Sequence, residues 1–183
     1  MPLQDGEATT IKHLNWLAQE TPRYWDNVRY DIFTTTGAIE YLKLKKPRVL
    51  YVSVGETDDW SHDGRYDLYL DAAHRTDRFL KQIWETVQSL PEYRDKTAIV
   101  LATDHGRGAG REGWKSHGVI YPGSDRIWIA AWGTGVPARG IRENINVTQS
   151  QVAATVARLL ALDFQDSGNG IAPPLPLFQD ANR

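Results

Sequence analysis

Apolar residues along this chain follow two periods. Three short runs, RVLYVSV (48–54), TAIVLAT (97–103) and IWIAAW (127–132), are almost continuously apolar and rich in β-branched and aromatic residues. Runs of that length and make-up predict buried strands. Between the first two, residues 66–90 carry Leu68, Ala72, Phe79, Ile83 and Val87 mostly at helical spacing, with Pro91 just beyond. This predicts a long amphipathic helix. Residues 37–45 predict a second helix, whose basic end at Lys45 and Lys46 suits the negative pole of the helix dipole before Pro47 stops it. A short helix is expected over 11–19, in an otherwise irregular opening rich in aromatics (Trp16, Tyr24, Trp25, Tyr30). Thr148 and Gln151 form a capping box ahead of Val152, Val156, Leu159 and Leu160, so a last helix should run to about Leu162. The closing APPLPLF is proline-rich and is expected to lie extended over the surface.

Strand, long helix, strand, strand, helix is the order of a βαβ unit, and it predicts an α/β fold with a mainly parallel sheet. The chain then divides into an irregular and helical lead-in (1–47), an α/β core (48–162) and a proline-rich tail (163–183). In parallel sheets ligands gather beyond the carboxyl ends of the strands, which directs attention to the segments after residues 54 and 103.

Those segments hold a concentration of potential metal ligands. Asp58 and His62 lie in ETDDWSH, Asp104 and His105 in LATDHGRG, and His117 in WKSHG. Three of the five histidines fall here. Asp58 and His62 are close enough in sequence to converge in a tight turn or a first helical turn. Asp104 and His105 would diverge in a regular strand, but a bend permitted by Gly106 brings both to one side. His117 follows across a loop containing Gly106, Gly108, Gly110 and Gly113, long enough to fold back. Each motif alone is common, and a histidine beside a carboxylate is often a surface ion pair. Their shared placement at strand ends is what favours a metal. Asp59 and Glu56 are reserve ligands, whereas His13 and His74 read as structural, His74 on a solvated helix face.

Composition narrows the chemistry. Cysteine is absent, so any metal must be held by histidine and carboxylate, a donor set suited to zinc or manganese. The formal net charge of −2 leaves no basic excess to serve a nucleic acid. No apolar run approaches a membrane span, and MPLQDGEATT lacks the regions of a secretory signal, so a soluble chain is expected. Its compartment stays open, and would be outside the cell if a signal lay upstream. The glycines at 108–113 fit GxGxxG, but a dinucleotide fingerprint needs its last glycine to open a helix, and WKSHGVIYPGSD breaks one. Asn146, Val147 and Thr148 match a glycosylation sequon, a frequent chance match. Arg107 and Lys115 flank the candidate ligands and could attract an anionic group.

DDWSH, TDHG and SHG, in this order and at these strand ends, resemble the alkaline phosphatase superfamily of phosphatases, sulfatases, nucleotide pyrophosphatases and cofactor-independent phosphoglycerate mutases. The resemblance covers about residues 48–162. It implies part of a three-layer sandwich and two divalent metal ions. Asp58, His62 and His117 would hold one ion, and Asp104 with His105 would help hold the second. It further implies attack by a serine or threonine on a phosphoryl or sulfuryl centre, with an anionic phosphate or sulfate ester as substrate. In that superfamily the nucleophile belongs to an N-terminal half. The nearest candidates here, Thr34, Thr35 and Thr36, read more simply as a helix N-cap. The expectation is therefore the metal-binding C-terminal half of an ester hydrolase, weak or inactive alone. A non-catalytic metal- or partner-binding module and a phosphomutase-type phosphotransferase are the alternatives. An uncovered sheet edge would pair with the missing half or with a second copy.

Overall fold

The computed structural model describes residues 9–143, 145–164, 170 and 172–177. The chain forms two compact units, Met1–Arg94 and Asp95–Arg183.

The first unit is helical: α1 (Thr9–Glu20), α2 (Asp31–Lys45), α3 (Glu56–His62) and α4 (Tyr66–Ser89). Helix α4 buries Ala72, Phe79 and Val87, positions seven and eight apart that share one stripe, as the sequence pattern requires. It packs against α3 and α2, while α1 seats the fully buried Ile11 and packs on α2. Helix α2 starts earlier than its apolar pattern indicates, at Asp31, so Thr34, Thr35 and Thr36 lie inside it and do not cap it. The Thr35 hydroxyl donates to the carbonyl of Ile32 at 3.3 Å, the local bond a helical threonine makes. Lys46 ends the helix in the left-handed conformation (φ 49°), its N–H returning to Leu42 O. The stretch between α1 and α2 is held by rings. Trp25 and Trp60 meet edge-on with centroids 4.5 Å apart, Tyr24 lies 5.2 Å from Trp60, and Trp25 Nε1 donates to Asp63 Oδ2 at 3.1 Å.

The strand expected over 48–54 does not form among the described residues. Its burial still alternates: Val49, Tyr51 and Ser53 are exposed, Tyr51 to 87%, and Leu50, Val52 and Val54 are half-buried. The segment has a strand's period of two without a ladder partner, and a strand is defined by its partner. Tyr93 Oη secures the start of this stretch by donating to Pro47 O at 2.9 Å.

The second unit contains β1 (Ala98–Ala102), the one-turn α5 (Gly110–Gly113), β2 (Ile129–Gly133) and α6 (Gln151–Leu159). The two strands pair antiparallel, with Val100 opposite Ala131 and Ala98 opposite Gly133. A mainly parallel sheet in a three-layer sandwich is thus not what the described residues form; they are a mixture of helices and a two-stranded antiparallel sheet. The reason lies in the connection: between the strands only α5 is helical, and a parallel return needs a crossover, usually a full helix. Gly133 (φ 99°) closes the ladder where a Cβ would stand 2.3 Å from the Thr97 carbonyl oxygen.

Helix α6 packs on β1 and begins with half of the expected capping box: Thr148 N–H donates to Gln151 Oε1 at 2.9 Å, while the Thr148 hydroxyl pairs with that of Ser150. The helix ends at Leu159, short of Leu162. The proline-rich segment does more than lie on the surface. Leu175 is buried to 3% exposure, and its N–H donates to the fully buried Thr155 hydroxyl at 2.8 Å. Gln151 Nε2 adds a bond to Pro173 O. Among the described residues no helix is long and apolar enough to cross a membrane.

The Thr155–Leu175 bond generates a prediction. Thr155→Val keeps the shape but strands a buried N–H, and should lower stability by about 1–3 kcal/mol. Urea denaturation checks this, and an unchanged midpoint would show that the Thr155–Leu175 bond contributes nothing to stability.

Candidate metal centre

Asp58 and His62 stand on α3, a helix of seven residues whose first turn carries Glu56, Asp58 and Asp59. Three acids there complement the positive pole of the helix. A helix this short does not hold itself, and its start is fixed from outside. Asp31, the first residue of α2, accepts the N–H of Gly55 at Oδ1 (2.8 Å) and that of Glu56 at Oδ2 (3.2 Å). Glu56 returns the bond, its Oε1 accepting the N–H of Asp31 at 2.7 Å. Glu56 Oε2 takes Trp60 Nε1 at 3.2 Å and the Arg75 guanidinium of α4, which also pairs with Asp71. Asp31 and Glu56 are 6% and 4% exposed. Burial pushes the Asp31 carboxyl above its ordinary range, against the lowering effect of the Gly55 N–H, and the Glu56 charge adds to the rise.

From this anchored helix Asp58 and His62 project together, Oδ2 to Nε2 3.4 Å apart and both partly open to solvent. The spacing of four residues converges as the sequence indicated. Glu56, a reserve ligand by sequence, turns inward and is engaged by the core.

In the second unit Asp104 and His105 leave the end of β1 in a bend. Asp104 Oδ1 accepts the N–H of His105 at 3.0 Å, and Gln149 Nε2 donates to the carbonyls of Thr103, at 2.8 Å, and Asp104. His105 Nδ1 lies 2.9 Å from Gly106 O, which acts as acceptor. A carbonyl oxygen only accepts, so this contact favours the tautomer with the proton on Nδ1. His105 Nε2 is 3.6 Å from Asp104 Oδ2, and the Asp104 carboxylate is 85% exposed.

His117 reaches His105: the rings stack with centroids 3.7 Å apart and planes 17° from parallel. Backbone contacts that only glycine allows bring it there. A Cβ on Gly106 would lie 2.2 Å from Gly123 O and 2.4 Å from Arg126 O, and one on Gly108 would lie 2.6 Å from Gly113 O. In the space so left, Gly106 N–H donates to Ser124 O and Gly108 N–H to Ser116 O, beside His117. Gly113 closes a one-turn helix instead of opening one, contrary to a dinucleotide loop. Arg107 donates to Trp114 O at 3.3 Å, and Lys115 pairs with Glu112 at 2.7 Å.

The structure thus joins Asp58 with His62 in the first unit, and Asp104, His105 and His117 in the second. The donors are imidazole nitrogens and carboxylate oxygens. That chemistry fits a divalent ion such as zinc or manganese. Asp31, Arg75 and Gln149, which the sequence did not single out, support the turns that carry the candidate ligands, and Glu56, a reserve ligand by sequence, joins them in that role.

Two curated proteins are similar to this chain. GPI ethanolamine phosphate transferase 1 of Emericella nidulans is 30% identical over 126 residues, covering 57% of this chain and 13% of the relative. The 2,3-bisphosphoglycerate-independent phosphoglycerate mutase of Gracilaria tenuistipitata var. liui is 23% identical over 143 residues, covering 75% of this chain and 26% of the relative. The chain therefore matches only a minor part of either. No family model and no solved structure matches it.

The raised Asp31 pKa has a consequence for stability. The folded state holds this proton more tightly than the unfolded chain, whose carboxyl titrates near 3.8. The group's contribution is fully present below that pH and is lost as pH rises through its folded pKa. Asp31→Asn removes the titration. The stability of the parent relative to this variant should therefore fall with rising pH across that window and then level off. Urea denaturation from about pH 3 to about pH 8 reads the difference, and a difference growing with pH would contradict the assigned shift.

Proposed function

We propose that this chain carries the metal-binding part of an enzyme of the alkaline phosphatase superfamily that transfers or hydrolyses a phosphoric ester. One observation carries the reading: the three ligand motifs occur in the superfamily's order, and each unit draws its own ligands together, Asp58 with His62 and His105 with His117. The names of both similar proteins add support, since each describes an enzyme acting on a phosphate-bearing compound, and the independent phosphoglycerate mutases lie within the superfamily resembled. They favour phosphate over sulfate as the natural group. They also support group transfer to a second acceptor as strongly as hydrolysis.

In this reading Asp58 and His62 of the first unit, and Asp104, His105 and His117 of the second, would serve as ligands to divalent cations. The cations supply positive charge that stabilises the attacking and leaving oxygens of an in-line displacement. The contact of His105 Nδ1 with Gly106 O would orient this ring as a ligand. Arg107 and Lys115 draw an anionic ester toward the ligands by charge; their own bonds to Trp114 O and Glu112 make them long-range attractors more than direct clamps. The nucleophile and the rest of the substrate site come from a partner segment, either an N-terminal half or a second chain. A non-catalytic metal-binding module remains the second reading, favoured by the location of Thr34, Thr35 and Thr36 within α2.

Metal analysis tests the proposal. The purified chain should bind about two zinc or manganese ions, and His62→Ala and His117→Ala should each weaken binding by roughly tenfold or more. Unchanged metal content in both variants removes the site. Chelator-sensitive turnover of a chromogenic phosphate ester by this chain would exclude the non-catalytic reading.

A further inference from the structure

The densest polar cluster in the first unit contains none of the proposed ligands. Asp31, Glu56, Trp60 and Arg75 are linked by hydrogen bonds, with two carboxylates almost fully buried at its centre. Buried charges cost free energy, and an ion pair of this kind is weak support for stability compared with apolar packing. Two buried carboxylates side by side are costlier still, and of these only Glu56 is bonded to the guanidinium. The cluster does, however, fix geometry. Asp31 grips two consecutive N–H groups at the start of α3, which sets where that helix begins. Arg75 of α4 binds Glu56 Oε2, which sets the rotation of α3 against α4, and Trp60 Nε1 binds the same oxygen from within α3.

Rotation is the quantity that matters for a ligand pair. Glu56 and Trp60 are four residues apart and face inward. Asp58 and His62 are also four apart, each two positions further on, about 200° around the helix. Locking the inner pair therefore aims the outer pair. We infer that Asp31, Glu56 and Arg75 are positioning residues for the metal ligands Asp58 and His62, acting through the rotation of α3. The inference rests on the metal reading above.

The test uses the full chain and isosteric variants, Asp31→Asn and Glu56→Gln, with two readouts. Isothermal titration with zinc alone should show affinity lowered by roughly tenfold to a hundredfold in each variant, the range found when groups that orient ligands are lost. Amide hydrogen exchange on the metal-free chain should accelerate across α3, while the amides of Ala72, Phe79 and Val87 in α4 keep parent protection. A merely structural role would lower protection throughout the unit. Should either variant fail to fold, Arg75→Lys, which keeps the charge but loses the guanidinium fork, carries the same comparison. Parent-like zinc affinity in folded variants overturns the positioning role alone. A parent chain that takes up no zinc overturns the metal reading and this role together, so the two failures are distinguishable.

Discussion

Asp31 and Glu56 each accept the first N–H of the helix that begins at the other, so α2 and α3 start on one another's carboxylates. The rest of the first unit's chemistry depends on this clasp. Helix α3 has too few residues to be stable by propagation alone. What holds it is the satisfaction of its leading N–H groups by a residue distant in sequence, together with packing on α4. Burial opposes the arrangement by disfavouring charge on Asp31, and the backbone donors of Gly55 and Glu56 oppose that in turn. The Arg75 guanidinium supplies the positive charge that lets Glu56 remain beside a second acid.

The second unit solves the same problem with backbone instead of side chains. His105 and His117 meet because Gly106 and Gly108 allow chain to pass where any Cβ would collide with a carbonyl oxygen. Gln149 spans the bend at Asp104 and holds two successive carbonyls, so the residue after the strand cannot continue the strand's direction. In both units the candidate ligand pair is exposed or half-exposed while the groups beside it are engaged more deeply or by backbone. For the proposed metal this leaves the pairs open to solvent, with the entropy of arranging them met during folding.

Much of this was legible in the chain itself. The stripe of Ala72, Phe79 and Val87 marked α4, Pro91 marked its end, and the convergence of Asp58 with His62 followed from their spacing. The 97–103 and 127–132 runs became β1 and β2, but their antiparallel pairing did not follow from order alone, because an apolar run records burial and not direction. The 48–54 run shows the same limit: its alternation persists, but no partner lies beside it among the described residues. Glu56 looked like a spare ligand, and Arg75 follows His74, which was placed on a solvated face. Their pairing joins residues on different helices, which local patterns do not report. Leu175 lay in a tail whose prolines suggested surface, yet it is buried, with its N–H bonded to the Thr155 hydroxyl of α6.

The comparison with relatives bears on which chemistry such ligands would serve. Imidazole and carboxylate donors at the ends of short elements suit any divalent-ion displacement at phosphorus or sulfur, so the ligands alone do not choose between water and a second acceptor. That choice belongs to whatever binds the acceptor group. The two similar proteins bear names for an ethanolamine phosphate transferase and a phosphoglycerate mutase, acting on unlike compounds, and this chain matches a small part of each. What those two names share is a phosphate-bearing compound, and the reading proposed above takes from them only that shared part. What separates the two enzymes, the acceptor and the remainder of the substrate, plays no part in it.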